Sequence, residues 1–313
     1  MQAIKLRTLG KLMLLVWALA CPNALSAPRV VTTLAPITDL VQRIGGQYIE
    51  VVGLVPEGAN SHTFEPAPSS AKVLAEADLI IANGLGLEAP ILKLAEKVKR
   101  PDTPIVRLGN RTLEPENWKY DFSFPRERGM PNPHLWPNIE HTMVYVDIIR
   151  DALVKLDASN KTAFWEYSKS LLTELEILDQ TIFRCIDSIP KNNRQLVTYH
   201  DSFAYFGPRY GMQIIGAIQP ADFAEPRPRE VARIIDQLKK LNVPAIFGSE
   251  VFPSPVLRQI AKEAGVSFVD KLRDDDLPGE PGDQQHTFTN MMLINLKTIT
   301  EALDGNLDCL KHQ

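Results

Sequence analysis

A chain of 313 residues and 35.0 kDa is too long for one small domain, and length divided by about 150 suggests two. Hydrophobic residues at 44% and charged residues at 23% are ordinary globular values, which excludes collagen-like, coiled-coil and disordered classes. Lys+Arg 34 against Asp+Glu 38 gives a net charge of −4 with no long basic run, which argues against nucleic acid as a partner.

Lys5, Arg7 and Lys11 precede an apolar stretch over residues 12–20, and small residues follow around Ala24, Ser26 and Ala27. That order is a secretory signal peptide over residues 1–26, cleaved after Ser26; the apolar run is shorter than the ~20 residues a membrane span needs. Cys21 offers a lipid-anchored N-terminus as the rival, but Ala18-Leu19-Ala20 puts a small residue where such sites usually carry leucine. Cleavage removes three basic and no acidic side chains, leaving 31 basic against 38 acidic residues and a more acidic, exported, soluble chain located in the periplasm.

Two cysteines then remain, Cys185 and Cys309, which an oxidising compartment allows to pair, although spacing alone does not say whether they meet. Beyond the leader, strand and helix patterns alternate. Residues 29–34 (RVVTTL), 49–55, 78–83 and 104–108 read as strands, and 37–44, 69–77 and 88–99 as helices between them. The pattern resumes with strands at 195–199, 213–217, 245–247 and 266–269, and helices at 228–241, 255–264 and about 288–303. Near-continuous apolar strands alternating with helices predict an α/β protein, with parallel sheets flanked by helices.

Residues 160–189 carry apolar side chains at Phe164, Leu171, Leu175, Leu178, Ile182 and Cys185, mostly three or four apart, with no proline before Pro190. The spacing predicts one helix of about 28 residues, about 42 Å long, a rigid linker between two lobes. The boundaries expected are an N-terminal lobe at 27–157, the linker helix at 158–190 and a C-terminal lobe at 191–313.

Chemistry-bearing residues fall in four loops, most with prolines beside them: GANSHTFEPAP with His62 and Glu65, PNPHLWP with His134, YHDSF with His200, and VDKLRDDDLP with Asp270, Asp274, Asp275 and Asp276. In open α/β sheets ligands bind beyond the carboxyl ends of strands, where His62, His200 and the acidic run fall. Imidazole and carboxylate suit zinc and related first-row ions. The bland readings are solvated histidines and a solvated acidic turn. His141 reads as a helix-start residue, His286 as the start of the last helix and His312 as tail. The chain lacks HExxH, GxSxG, P-loop and GxGxxG motifs.

Four segments, in order, carry a resemblance over nearly the whole chain after the leader. They are VVTTLAPITDLVQRIGG with LVPEGANSHTFEPAPSS and LAEADLIIANGLGLE; NPHLWPN; HDSFAYFGPRYG; and IFGSEVFPSPVLRQIAKEAG with HTFTNMMLINL. The sequence resembles the ZnuA- and TroA-like metal-binding receptors of bacterial ABC importers. The resemblance implies two α/β lobes on a long helix, no enzyme activity and a divalent metal, zinc first and manganese or iron as alternatives. It also implies an importer permease as partner; a monomer is the expected state. By position it assigns His62, His134 and His200 as ligands, with Asp275 fourth and Asp274 or Asp270 as fallbacks. Glu250 is then a residue beside the site, its plainer role being to cap nearby backbone, and Glu65 orders its own loop. Asn132 stands where the family carries an acid, and no histidine-rich stretch precedes His134. A site of this kind is expected to weaken below about pH 6 as imidazoles protonate. A metal-dependent hydrolase using Glu65 or Glu250 as base, or a surface adhesin, are the alternatives.

Overall fold

Each predicted strand begins or ends within a few residues of an observed one. The computed structural model describes residues 27–219, 225–251 and 255–311, so the leader, Cys21 and His312 lie outside the described residues. The first half runs β1 (Arg29–Thr32), α1 (Ala35–Gly45), β2 (Glu50–Gly53), α2 (Pro68–Glu76), β3 (Leu79–Ala82), α3 (Ala89–Val98), β4 (Ile105–Arg107) and the short α4 (Gly109–Thr112). Prolines in the first turn start α1, α2 and α3, where a missing N–H costs no helical hydrogen bond. Two helices cross between the halves, α5 (Ile139–Leu156) and α6 (Lys161–Ser188). The second half runs β5 (Gln195–Thr198), α7 (Phe206–Tyr210), β6 (Gln213–Ala217), α8 (Pro228–Leu241), β7 (Ala245–Ser249), α9 (Pro255–Ala264), β8 (Ser267–Leu272) and α10 (Phe288–Ala302).

The strands form two four-stranded parallel sheets, ordered β2-β1-β3-β4 and β6-β5-β7-β8. The two orders are the same pattern repeated, which is why the sequence reads as two similar halves. In β1, Val30 packs toward α1 while its neighbour Val31 packs with Leu74, Ile91 and Ala95 of α2 and α3. Opposite faces of one strand thus feed separate layers, as the two-residue strand period requires. The second sheet repeats this with Leu196 against Val197 and Phe247 against Ile246.

The rigid linker is α6, with the length the apolar spacing predicts. It does not stand free between lobes. Phe164, Leu171, Leu175, Leu178, Ile182 and Ile186 are buried in one apolar core continuous from α1 and α5 to α10. Burying a side chain of this size stabilises by about 1.5–3 kcal/mol, so this face alone opposes any bending of the connection. Polar groups add to it: Asp179 of α6 accepts from Arg209 Nε at 2.9 Å and from the Tyr210 hydroxyl at 2.5 Å. Cys185 of α6 and Cys309 are joined in a disulfide with Cα atoms 5.2 Å apart. No helix among the described residues is long and apolar enough to cross a membrane.

α5 is the one long element whose extent the strand-and-helix pattern above does not give, its start alone being read at His141. It is capped by the Asn138 side chain, which accepts from Glu140 N at 3.0 Å, and His141 lies in its first turn as expected.

Candidate metal centre

His62 sits in the loop after β2, and His200 two residues past the end of β5, both at carboxyl ends of strands. His134 comes from the long loop between α4 and α5. Although 72 and 66 residues separate His134 from the other two, their three Nε2 atoms converge: His62–His134 3.2 Å, His62–His200 3.0 Å and His134–His200 3.0 Å. Four ligands around zinc at about 2.0–2.1 Å stand about 3.3 Å apart in a tetrahedron, close to these separations.

The outer nitrogens decide what converges. His134 Nδ1 faces Asn132 Oδ1 at 2.7 Å, and His200 Nδ1 faces Gln219 Oε1 at 2.8 Å. Amide oxygens only accept, so both Nδ1 atoms carry the proton and both Nε2 atoms present a lone pair. The orientation of Asn132 is fixed independently, since its Nδ2 donates to the Asp201 carbonyl at 2.7 Å. Burial holds His62 and His134 well below the usual imidazole range, the positive form of His200 adding to this, and burial holds His200 at about 4. The expectation that imidazoles protonate near pH 6 is therefore corrected downward: desolvation penalises the charged ring. Lone pairs packed this closely repel one another unless a cation lies between them, and the donor set fits a first-row divalent ion.

Asp275 is not part of the group whose ligand atoms all lie within 4.8 Å of one another; that group is the three histidines. It stands beside them, accepting from Ser61 Oγ at 2.6 Å through Oδ2, directly before His62 in the chain. Its Oδ1 is buried with no hydrogen-bond partner, as is Asp274 Oδ2. Burial, opposed by the Ser61 hydrogen bond, pushes the Asp275 carboxyl up to about 7. Asp270 is exposed and pairs with Arg258 at 3.5 Å. The acidic run is no solvated turn: Asp274, Asp275 and Asp276 are all buried.

Glu250 caps backbone in the loop that carries Asp275. Its Oε1 accepts from the backbone N–H groups of Asp274, Asp275 and Asp276 at 2.9, 3.2 and 3.2 Å, bending the loop that carries Asp275. Glu65 is exposed. His141 packs on Tyr205 and is absent from the cluster, and His286 pairs with Glu57 at 3.1 Å just before α10.

Sequence reasoning missed Gln219, Phe124, Ser61 and Asn83, whose Nδ2 holds the Pro133 carbonyl at 2.9 Å. Only Asn132 left a signal, by its place two residues before His134.

Comparison with known proteins agrees with this geometry. The family model described as zinc-uptake complex component A, periplasmic (ZnuA), matches residues 30–302. The manganese-binding lipoprotein MntA of Halalkalibacterium halodurans is 27% identical over 277 residues, covering 88% of each chain. The iron-binding protein YfeA of Yersinia pestis is 28% identical over 274 residues, 88% of this chain and 85% of that protein. Among solved structures, the periplasmic zinc-binding protein TroA from Treponema pallidum matches with a TM-score of 0.80 at 25% identity, over 88% of this chain and 99% of that one. These names describe metal-binding proteins, and none of them supports the hydrolase alternative. The chain belongs to the ZnuA family, the metal-binding receptors of ABC importers.

Proposed function

We propose that the chain is an extracytoplasmic receptor that captures zinc through His62, His134, His200 and Asp275 and hands it to the permease of an ABC importer. The observation that carries this reading is the convergence of three Nε2 lone pairs fixed by acceptors on the far side of two of the rings. The partnerless Oδ1 of Asp275, buried next to the loop of His62, supports it as the fourth ligand. Three imidazoles and one carboxylate favour zinc, whereas manganese prefers more oxygen and water. The names of the manganese- and iron-binding relatives support the second reading, in which one of those ions is the cargo.

Competitive titration of metal-free protein with zinc, manganese and iron, with elemental analysis of the protein as purified, separates the two. Replacing His62, His134 or His200 singly by Ala is expected to weaken binding by more than about 100-fold, beyond what loss of a partner around a metal site costs. Unchanged affinity in all three variants overturns the reading. Delivery is tested by adding loaded receptor to reconstituted permease and measuring ATP hydrolysis. Light scattering tests the monomer.

Two states of the mature N-terminus are in play. Cleavage after Ser26 gives a soluble periplasmic receptor, while the lipoprotein relatives favour anchoring through Cys21. The mass of the mature chain distinguishes a start at Ala27 from an acylated Cys21. None of the comparisons supports the adhesin alternative.

A further inference from the structure

The loop between α4 and α5 does more than deliver His134. Phe124, buried, sets its ring centroid 5.5 Å from that of His62, 5.6 Å from His134 and 6.2 Å from His200. One apolar ring therefore borders all three imidazoles. Its backbone is tied in a tight turn, Asp121 N to Phe124 O at 3.0 Å and Phe124 N to Asp121 O at 3.1 Å. The neighbouring Ser123 Oγ donates to the Gln219 carbonyl at 3.1 Å, so the residue beside Phe124 is tied to the second half of the chain.

Beside Phe124 lies a cavity of about 80 Å³, walled mostly by apolar residues such as Leu85, Leu87 and Met130 along with Phe124, with Arg128 also in its lining, and reaching His62. That volume holds more than one water molecule. His62, partly buried as a residue where His134 and His200 are buried, is the member of the cluster that lines this cavity. The cavity thus has room for water beside His62, and Phe124 is a wall of the cavity as well as a neighbour of the imidazoles.

We propose that Phe124 is a specificity-determining residue that keeps water of this cavity off the cation, favouring an ion satisfied by four protein ligands over one that retains water. The inference rests on the metal-receptor reading above. Zinc is content with four nitrogen and oxygen ligands, whereas manganese prefers six and fills its sphere with water where it can. An apolar shell that controls solvent access tunes a metal site without touching the metal.

The test compares wild type, Phe124→Ala and Phe124→Leu by two measurements: water-proton relaxation of the manganese-loaded protein, which counts coordinated water, and zinc–manganese competition. Expected are no coordinated water in wild type, a gain of one in Phe124→Ala, and a fall of about tenfold in zinc preference in that variant. Phe124→Leu, which keeps the apolar bulk, stays like wild type. A wild type that already carries coordinated water overturns the proposal. So does a Phe124→Ala variant unchanged in both measurements, or a Phe124→Leu variant that behaves like Phe124→Ala. If Phe124→Ala does not fold, Phe124→Val carries the same expectation. Wild type that binds neither ion is a different failure, that of the receptor reading itself.

Discussion

At Asp275 and His200 burial acts in opposite directions on the two ligand types, and the pH response follows. A carboxyl raised from 3.8 to about 7 favours the folded metal-free chain below pH 3.8, and that contribution is lost as pH rises through about 7. An imidazole lowered from 6.5 to about 4 leaves stability intact above 6.5 and removes it as pH falls through about 4. A cation needs the carboxylate and the neutral ring. With Asp275 as a ligand, zinc affinity begins to fall at about pH 7 through this carboxyl and steepens near pH 4 through His200. Calorimetry at pH 6 in buffers of different ionisation enthalpy is expected to show close to one proton released per zinc, and none in Asp275→Asn. Equal release in both variants assigns the proton to another group. His62, His134 and His200 were legible in the sequence because each lies in a loop with a recognisable neighbourhood. Gln219 was not, because it lies 19 residues after His200, past β6, and nothing in its local sequence marks it as a partner of that ring. Asn132 was read as a departure from an acid; in place it performs the orienting task as a neutral group, accepting from the His134 backbone N–H at 3.0 Å as well as from the ring.

Among the elements, the strands were readable because β3 and β7 are buried along their whole length and so appear as unbroken apolar runs. α5 was not. It lies against α1 on one side and α6 on another, and Ile139, Tyr145, Val146, Ile149 and Leu153 are buried beside half-buried Met143 and Ile148. A helix covered on more than one face loses the single apolar stripe by which helices are recognised. The turn after β3 shows a constraint that composition also hides. Gly84 and Gly86 have φ of 84° and 88°, with Leu85 between them at 55°. A Cβ on Gly84 would stand 2.2 Å from Asn110 Oδ1, the acceptor for Leu85 N, and 3.0 Å from Arg107 Cβ. Gly84→Ala is therefore expected to lower stability by about 1–3 kcal/mol, from backbone strain and displacement of Asn110. Denaturant unfolding checks this, and an unchanged midpoint contradicts it.

For the molecule as a whole, a core that passes from one sheet through α6 to the other leaves little freedom for one half to swing against its partner. Hydrogen bonds between the two halves add to this, with Gly58 N donating to Asp276 Oδ2 at 2.7 Å and Phe288 N to Asp39 Oδ2 at 2.9 Å. Small-angle scattering is expected to find a radius of gyration that changes by less than about 1 Å when zinc is added, with loop ordering in place of hinge closure. A larger contraction would mean that α6 bends. The length of α6 was legible from its apolar spacing, but its packing along both halves was not, since spacing defines a face and not what covers it.

Cys185 lies in the middle of the molecule and Cys309 near its end, 124 residues apart, so their bond closes a long loop. Replacing both by Ala is expected to reduce unfolding free energy by about 2–5 kcal/mol with zinc stoichiometry unchanged. Thiols stay reduced in the cytosol and pair outside it. Under the extracytoplasmic reading proposed above, the chain crosses the membrane without this bond and gains its covalent lock on the far side.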